Sequence, residues 1–273
     1  MSLFELKPYS LMYILAMIFG FCFLNAENSR KKIALSSSDL LNLILISVVA
    51  GIVGARVYFV LFRWGYFSFH LAEIPAIRNG GLASHGGFIA GAAAGYFYLK
   101  RHKINFSKFA DAAVPLVVLG EACVRFGNYI NGEAHGRPTT VPWGMVFPPN
   151  TLAGRQFPHM VIHPTMLYQL FYNVIVFTII WYGFRRSIYK EGFVAALVVI
   201  LYSMGRYVIE GLRADSLYWG PFRIAQIMCI ALIASMLVCI FRGRLWIKSP
   251  SSSEPDAMHT RARERYKTGR ARP

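Results

Sequence analysis

The feature that most constrains this chain is a series of seven long apolar segments separated by shorter polar ones. Hydrophobic residues make up 55% of its 273 residues, a share typical of membrane proteins rather than of soluble domains. About 20 apolar residues let a helix cross the roughly 30 Å hydrocarbon core of a bilayer. The sequence therefore predicts an all-α, polytopic integral membrane protein with about seven transmembrane helices. The predicted spans are residues 10–26, 40–62, 85–99, 109–127, 163–184, 192–212 and 222–241.

The distribution of basic residues predicts the orientation of these spans. Lysine and arginine concentrate in the cytoplasmic loops of membrane proteins. If the N-terminus lies outside, 19 of the 29 basic residues fall in cytoplasmic segments and six in outer ones. The first span is preceded by one lysine and followed by Arg30, Lys31 and Lys32, the reverse of a secretory signal. We therefore expect a retained first helix, an outer N-terminus and a cytoplasmic C-terminus.

The net charge of +16 would also suit a nucleic-acid-binding protein. Its distribution favours another explanation, because most of the charge follows the loop pattern or lies in the C-terminal tail. We therefore expect no nucleic-acid partner. Residues 249–273 are rich in arginine, serine and proline, which predicts a disordered tail after a transmembrane domain of residues 1–248. This basic cytoplasmic tail is either a solvated topology anchor or a weak contact for anionic membrane lipids.

The four cysteines, at positions 22, 123, 229 and 239, all lie in apolar segments and form no Cys-x-x-Cys pair. This pattern favours neither a disulfide framework nor a zinc site, so we interpret the cysteines as packing residues. No cluster of carboxylates suggests a metal, and the sequence predicts neither a metal nor a cofactor.

The most polar stretch at the end of a span is VRFGNYINGEAHGRP, residues 124–138. Polar and charged groups at membrane depth are expensive, so they usually have a function. Arg125, Asn128, Asn131 and Glu133 are therefore candidate site residues, and the glycines around them permit tight turns.

The third span begins in GGLASHGG, which places His85 at its outer end. Gly87, Gly91 and Gly95 follow at intervals of four residues and predict a face that a neighbouring helix approaches closely. A single histidine is commonly a structural hydrogen-bonding residue, so the case for His85 as a catalytic residue depends on its neighbours in the fold.

Arginines also lie within the second and sixth spans, at Arg56 and Arg206. In the sixth span, Tyr202, Arg206 and Glu210 share one helical face. The arginines either pair with glutamates such as Glu121, Glu133 and Glu210, or bind an anion from outside. A planar guanidinium suits the second role because it can bind two phosphate oxygens at once.

Several motifs together resemble the prolipoprotein diacylglyceryl transferase family of the bacterial inner membrane. The strongest is RFGNYINGEAHGR, and GGLASHGG, GARVYFVLF, PWGMVFP, HPTMLYQ and RYVIEGLRAD occur in the family order. These motifs extend from Tyr9 to Asp215. The resemblance implies a multi-pass enzyme of the bacterial cytoplasmic (inner) membrane. It implies transfer of a diacylglyceryl group from phosphatidylglycerol to the lipobox cysteine of preprolipoproteins, with release of glycerol phosphate.

The resemblance also assigns site residues. His85, Arg125 and Arg206 match the essential histidine and arginines and are implied to be catalytic. The residues implied to bind substrate are Tyr9, Arg56, Asn128, Asn131, Glu133, Gly136, Tyr202 and Glu210. Four positions depart from the usual motif, namely Ser10 and Ala225 in place of glycine, Val124 in place of glycine, and Gln169 in place of glutamate.

A neutral histidine with a pKa of about 6.5 can accept the proton of a cysteine thiol, whose pKa is about 8.5. The thiolate would attack the glycerol carbon while Arg125 and Arg206 hold the phosphate. The arginines themselves, or Glu133, are alternative means of activating the thiol. The competing functional class is a lipid-binding membrane protein or transporter that uses the same arginines without catalysis. The sequence contains no paired half-repeat of interrupted helices, which disfavours a transporter.

Overall fold

A computed structural model describes residues 8–77, 81–185, 188–216 and 218–247, apart from the side chains of residues 8–16, 84, 85 and 219. The predicted tail, residues 249–273, lies outside this part of the chain. Seven long helices occur in the described residues, together with two short ones. The helices are α1 (Pro8–Lys31), α2 (Ser37–Phe62), α3 (Trp64–Phe67), α4 (Ser84–Arg101), α5 (Phe106–Asn131), α6 (Leu152–Gln156), α7 (Thr165–Ile179), α8 (Phe193–Glu210) and α9 (Ile224–Gly243).

Each of the seven predicted spans coincides with one long helix, and the mostly helical fold is confirmed. Four helices are long and apolar enough to cross a membrane, namely α2, α7 with the π-helical turn Ile180–Phe184 that extends it, α8 and α9. The helices run several residues beyond the apolar segments at some ends, because polar residues there continue the backbone hydrogen bonding.

The seventh predicted span begins later than expected. Phe222 and Arg223 form a strand rather than the start of a helix, and they pair antiparallel with Tyr218 and Trp219. Gly220, with a φ of +60°, makes the tight turn between the two strands. Helix α9 therefore starts at Ile224.

The chain divides into two compact units. The smaller unit, Phe21–Ala112, contains α2, α3, a 3-10 turn at Leu71–Glu73 and α4. The larger unit, Met1–Gly20 with Ala113–Pro273, contains most of α5 and all of α6 to α9.

In the smaller unit, α2 and α4 cross where both helices carry glycine. A Cβ added at Gly54 would lie 2.2 Å from the Cβ of Ala90 and 2.6 Å from the carbonyl oxygen of Gly86. A Cβ at Gly91 would lie 3.0 Å from the carbonyl oxygen of Ser47. The structural interpretation of the glycine row is thus confirmed, because the α4 glycines meet the backbone of α2 directly.

In the larger unit, α5, α7 and α8 pack around a buried aliphatic cluster. The cluster consists of Val118, Val176, Ile180, Val194 and Val198. Nearby, Tyr172 of α7 lies over Gly205 of α8, where an added Cβ would be 2.1 Å from the ring, and its hydroxyl donates to the carbonyl oxygen of Leu201 over 2.7 Å. This packing holds α8 against α7 directly beside Arg206.

We predict that Gly54→Ala destabilises the protein, because the new methyl group overlaps Ala90 and the backbone of Gly86. Overpacking of this kind typically costs about 1–3 kcal/mol. Thermal unfolding of the purified protein in detergent measures the effect. Gly20→Ala in α1 is the matched control, since nothing lies within 4 Å of its added Cβ. An unchanged midpoint for Gly54→Ala would contradict the close crossing of α2 and α4.

Candidate active site

Arg125 lies in the last turns of α5 and is held by side chains of its own helix. Its Nε and Nη2 donate to the two carboxylate oxygens of Glu121 over 3.0 and 2.7 Å, a two-pronged ion pair at i,i+4. Its Nη1 donates to Oδ1 of Asn128 over 3.0 Å. Only 15% of the Arg125 side chain is exposed, so this arginine is mostly enclosed and already oriented.

The polar chain continues from Arg125 toward the end of α5. Asn128 is buried and donates from Nδ2 to Oε2 of Glu133 over 3.0 Å. Asn131 donates to the other oxygen of Glu133 over 3.4 Å. The structure thus brings four predicted site residues, Arg125, Asn128, Asn131 and Glu133, into one hydrogen-bonded network.

Gly136 serves the backbone of the site. Its N–H donates to the carbonyl oxygen of His163 over 2.9 Å, and its backbone pairs with that of Arg213 in an isolated antiparallel β-bridge. An added Cβ would lie 2.5 Å from the Cβ of His163 and 2.6 Å from its carbonyl oxygen. Glycine is therefore required here because the loops before α7 and after α8 both pass against it.

A second network surrounds Glu210 at the end of α8. Arg206 contacts the buried Glu210 carboxylate at 2.6 Å, again at i,i+4, and Arg213 approaches it to 3.6 Å. Arg213 also makes a two-pronged contact with Asp215, at 2.8 and 2.9 Å. Burial raises the pKa of Asp215, but the hydrogen bonds and charge of Arg213 outweigh it, so the net pKa lies below its ordinary value.

Tyr202 links the two networks. Its side chain lies within electrostatic range of Glu121, Arg125 and Arg206, and Arg125 and Arg206 lie within electrostatic range of each other. The predicted arginines of α5 and α8 therefore belong to one electrostatic site within the larger unit.

The charges of this site do not cancel. Its described members include five arginines and four carboxylates, which leaves one positive charge over. The arginines are Arg125, Arg137, Arg206, Arg213 and Arg223, and the carboxylates are Glu121, Glu133, Glu210 and Asp215. The excess comes from Arg137 and Arg223, whose side chains donate to the backbone carbonyl oxygens of Gly211 and Glu210 rather than to a carboxylate.

Two amides of α7 extend the network, although neither was predicted as a site residue and Gln169 was noted only as a departure from the family motif. Asn173 donates to Oε2 of Glu121 over 3.4 Å, and Gln169 donates to Asn173 over 2.7 Å. Both are fully buried. Their spacing of four residues within an apolar helix was the available signal, because paired polar residues on one face of a span rarely face lipid.

In the smaller unit, Arg56 of α2 is buried and directs three nitrogens to loop carbonyls. It donates to the carbonyl oxygens of Ile74 and Glu73 over 2.7 Å each, and to that of Gly81 over 3.0 Å. The rings of Phe59 and Phe67 lie 5.8 and 5.3 Å from its guanidinium carbon. Arg56 thus holds the loop before α4 through its backbone carbonyl oxygens. The sequence had suggested a glutamate or an external anion as the partner of this arginine.

His85 and Tyr9 lie in the first turns of α4 and α1, and their side chains are outside the described part of the chain. The backbone beside His85 is fixed on both sides. Ala83 donates its N–H to the carbonyl oxygen of Ala55 over 3.0 Å, and an added Cβ on Gly86 would lie 2.3 Å from the Cβ of Tyr58.

His163 precedes α7 in a small polar cluster. Its Nδ1 lies 3.1 Å from the Tyr168 hydroxyl, which also accepts a hydrogen bond from Trp143 over 2.8 Å. Burial and the positive charge of Arg137 lower the pKa of His163 below its ordinary value. The ring is therefore neutral in the folded protein at neutral pH.

We predict a pH-dependent contribution of His163 to stability. Because its pKa is lower in the folded state, the unfolded chain binds the proton first. Stability is then complete above a pH of about 6.5 and declines as the pH falls toward the folded-state pKa. The thermal midpoint of His163→Gln should decline less steeply with acidification than that of the parent. His159→Asn, at an exposed position, is the control, and an identical slope for the parent and His163→Gln would refute the prediction.

Comparisons with known proteins place this chain in a family. Residues 1–242 match the family model described as prolipoprotein diacylglyceryl transferase. A phosphatidylglycerol--prolipoprotein diacylglyceryl transferase of Clostridioides difficile is 38% identical over 241 residues, which cover 88% of this chain and 92% of that protein. The proteins of the same name from Finegoldia magna and Clostridium botulinum are 36% and 41% identical, over 86% and 71% of this chain and 90% and 76% of their own lengths.

The family match includes every predicted site residue, from Tyr9 to Glu210. It also spans both arginine networks of the larger unit and the α2–α4 crossing of the smaller one. The chain belongs to the prolipoprotein diacylglyceryl transferase family.

Proposed function

We propose that this protein transfers the diacylglyceryl group of phosphatidylglycerol to the lipobox cysteine thiol of preprolipoproteins. The reaction forms a thioether and releases glycerol phosphate. The observation that carries the proposal is the pair of mostly enclosed arginines, Arg125 and Arg206, in a site with one positive charge in excess. The phosphodiester of phosphatidylglycerol carries one negative charge, which this excess would neutralise.

The reaction needs both an activated thiol and a stabilised leaving group. The thiolate sulfur attacks the phosphate-bearing carbon of the diacylated glycerol unit. The bond between that carbon and the phosphate oxygen breaks. The electron pair of that bond leaves with the phosphate, which changes from a singly charged diester to a doubly charged monoester. Arg125 and Arg206 would stabilise this developing charge, and one such donor typically contributes about 3–4 kcal/mol in a water-poor site.

We assign the proton transfer to His85, which would accept the thiol proton as a neutral base. The remaining residues implied by the family resemblance would bind and orient the lipid and the signal peptide. For Asn128, Tyr202 and Glu210, support comes from their proximity to the two arginines. For Glu133 and Asn131, it comes from the hydrogen bonds that link Asn128 to Glu133 and Asn131 to Glu133. Gly136 supports the site through its backbone, and Tyr9 and Arg56 complete the proposed set.

We also propose a multi-pass arrangement in the bacterial cytoplasmic (inner) membrane, with about seven spans, an outer N-terminus and a cytoplasmic C-terminus. The loop charges support it, and Arg30 and Lys31 at the end of α1 and Lys100 and Arg101 at the end of α4 carry the cytoplasmic signal. The residues around Glu133 and Glu210 would then face outward. The basic tail, residues 249–273, would lie in the cytoplasm, away from the site.

We predict that a cysteine at Lys103 is labelled by a membrane-impermeant reagent only from the cytoplasmic side. A cysteine at Asn150 should be labelled only from the outer side. Both positions are exposed, and the experiment starts from a variant without the four native cysteines. Labelling of Asn150→Cys from the cytoplasm would overturn the orientation and the location of the site.

The decisive test of the function is incubation of the full-length protein with phosphatidylglycerol vesicles and a lipobox peptide. An enzyme forms a thioether-linked diacylglyceryl peptide and releases glycerol phosphate in equal amount. A lipid-binding protein or transporter retains or moves the phospholipid but forms no thioether, and that result would favour the alternative class.

We predict that His85→Asn retains phosphatidylglycerol binding and loses most of the transfer. The parental rate should rise with pH around the reference histidine pKa of about 6.5. With this base removed, the remaining rate should instead follow ionisation of the peptide thiol, near a pH of about 8.5. A variant that keeps the parental rate and pH profile would show that the thiol is activated by the arginines or by Glu133.

A further inference from the structure

Two amides, Gln169 and Asn173, lie side by side on α7 in the interior of the larger unit. Their exposed fractions are 1% and 0%. An enclosed amide is unfavourable unless its polar atoms are hydrogen-bonded, so such residues persist where their bonds are needed. Neither amide has a place in the catalytic roles assigned above.

The two amides form a directed chain of donors that ends on a carboxylate. Gln169 Nε2 donates to Asn173 Oδ1 over 2.7 Å, and Asn173 Nδ2 donates to Glu121 Oε2 over 3.4 Å. The same oxygen of Glu121 accepts from Nε of Arg125 over 3.0 Å. Gln169 Oε1 has no hydrogen-bond partner among the described residues, so Gln169 contributes to the chain as a donor.

Glu121 needs to be held in place because it competes with the substrate. A carboxylate and a phosphate both bind a guanidinium along one edge, where two N–H groups point in parallel. Glu121 occupies the Nε–Nη2 edge of Arg125, while Nη1 points to Asn128. A bond from α7 to Glu121 fixes the carboxylate on the first edge and keeps it from moving to the second.

We propose that Asn173, supported by Gln169, is a positioning residue that acts through Glu121 to orient Arg125 toward the phosphate of the lipid. The inference rests on the proposed function, in which Arg125 binds that phosphate. The positive charge of Arg125 persists without Asn173, so attraction of the singly charged phosphodiester survives. Alignment matters more when the second negative charge develops on the leaving phosphate, because hydrogen bonds to developing charge depend on geometry.

The experiment is a double-mutant cycle on the full-length protein, assayed with phosphatidylglycerol vesicles and a lipobox peptide. Asn173→Leu keeps the branched shape of the side chain and removes the amide. We expect kcat to fall about tenfold and the KM for phosphatidylglycerol to change less than about threefold. In a Glu121→Gln background, the same replacement should change kcat by less than about twofold, since the group through which it acts is already altered.

Two further variants separate positioning from packing. Val176→Ala removes apolar volume from the same buried helix without touching the amides, and should leave kcat unchanged while lowering the thermal midpoint. Gln169→Leu leaves Asn173 in place, and should lower kcat by about threefold only when Glu121 is present. It keeps the inference testable if Asn173→Leu does not fold.

The outcomes are distinct. An equal fall in kcat with and without Glu121 would mean that Asn173 acts independently of it, and an unchanged kcat would mean that it positions nothing. Either result overturns the inference and leaves the proposed function intact. A parent protein that forms no thioether peptide overturns the proposed function, and this inference with it.

Discussion

The ion pair between Arg125 and Glu121 is the interaction on which the site depends. An arginine enclosed in a helix bundle is tolerable only when its charge is matched and its donors are bonded. Because the two residues are four apart on α5, the pair forms as soon as the helix forms. Arg206 and Glu210 repeat the arrangement on α8. Each helix therefore supplies an arginine already neutralised by its own glutamate, and packing the two helices together adds no uncompensated charge.

Neutralised arginines still bind anions when the assembled site has a positive excess. Arg213 adds a positive charge beside Glu210, and its partner Asp215 compensates that charge. Arg223 donates to the backbone carbonyl oxygen of Glu210. This bond satisfies a donor of the guanidinium but does not cancel its positive charge. The glutamates thus compensate the enclosed arginines, and the positive excess of the site comes from Arg137 and Arg223, whose side chains donate to backbone carbonyl oxygens.

The sequence predicted the elements of this fold better than their connections. Seven apolar segments predicted seven long helices because burial of apolar side chains dictates where such helices form. The strand pair before α9 was missed, since two-residue strands leave no periodic pattern. The contacts of Arg56 could not be read from the sequence, because backbone carbonyls carry no residue-specific signal. Asn173 was missed because α5 and α7 are far apart in sequence, and only the fold brings its amide to Glu121.

The backbone between the helices explains why a glycine belongs among the site residues. The backbone N–H of Gly136 donates to the carbonyl oxygen of His163. The backbone N–H of Arg137 donates to the carbonyl oxygen of Leu212 over 2.9 Å. Ala214 in turn donates to the carbonyl oxygen of His135 over 3.1 Å. The first bond joins the loop after α5 to the segment before α7, and the other two join it to the loop after α8. Together they fix the distance between the ends of the two arginine-bearing helices. A side chain at position 136 would separate the loops, so this glycine sets the spacing of the two arginine-bearing helices and contributes no side-chain group of its own.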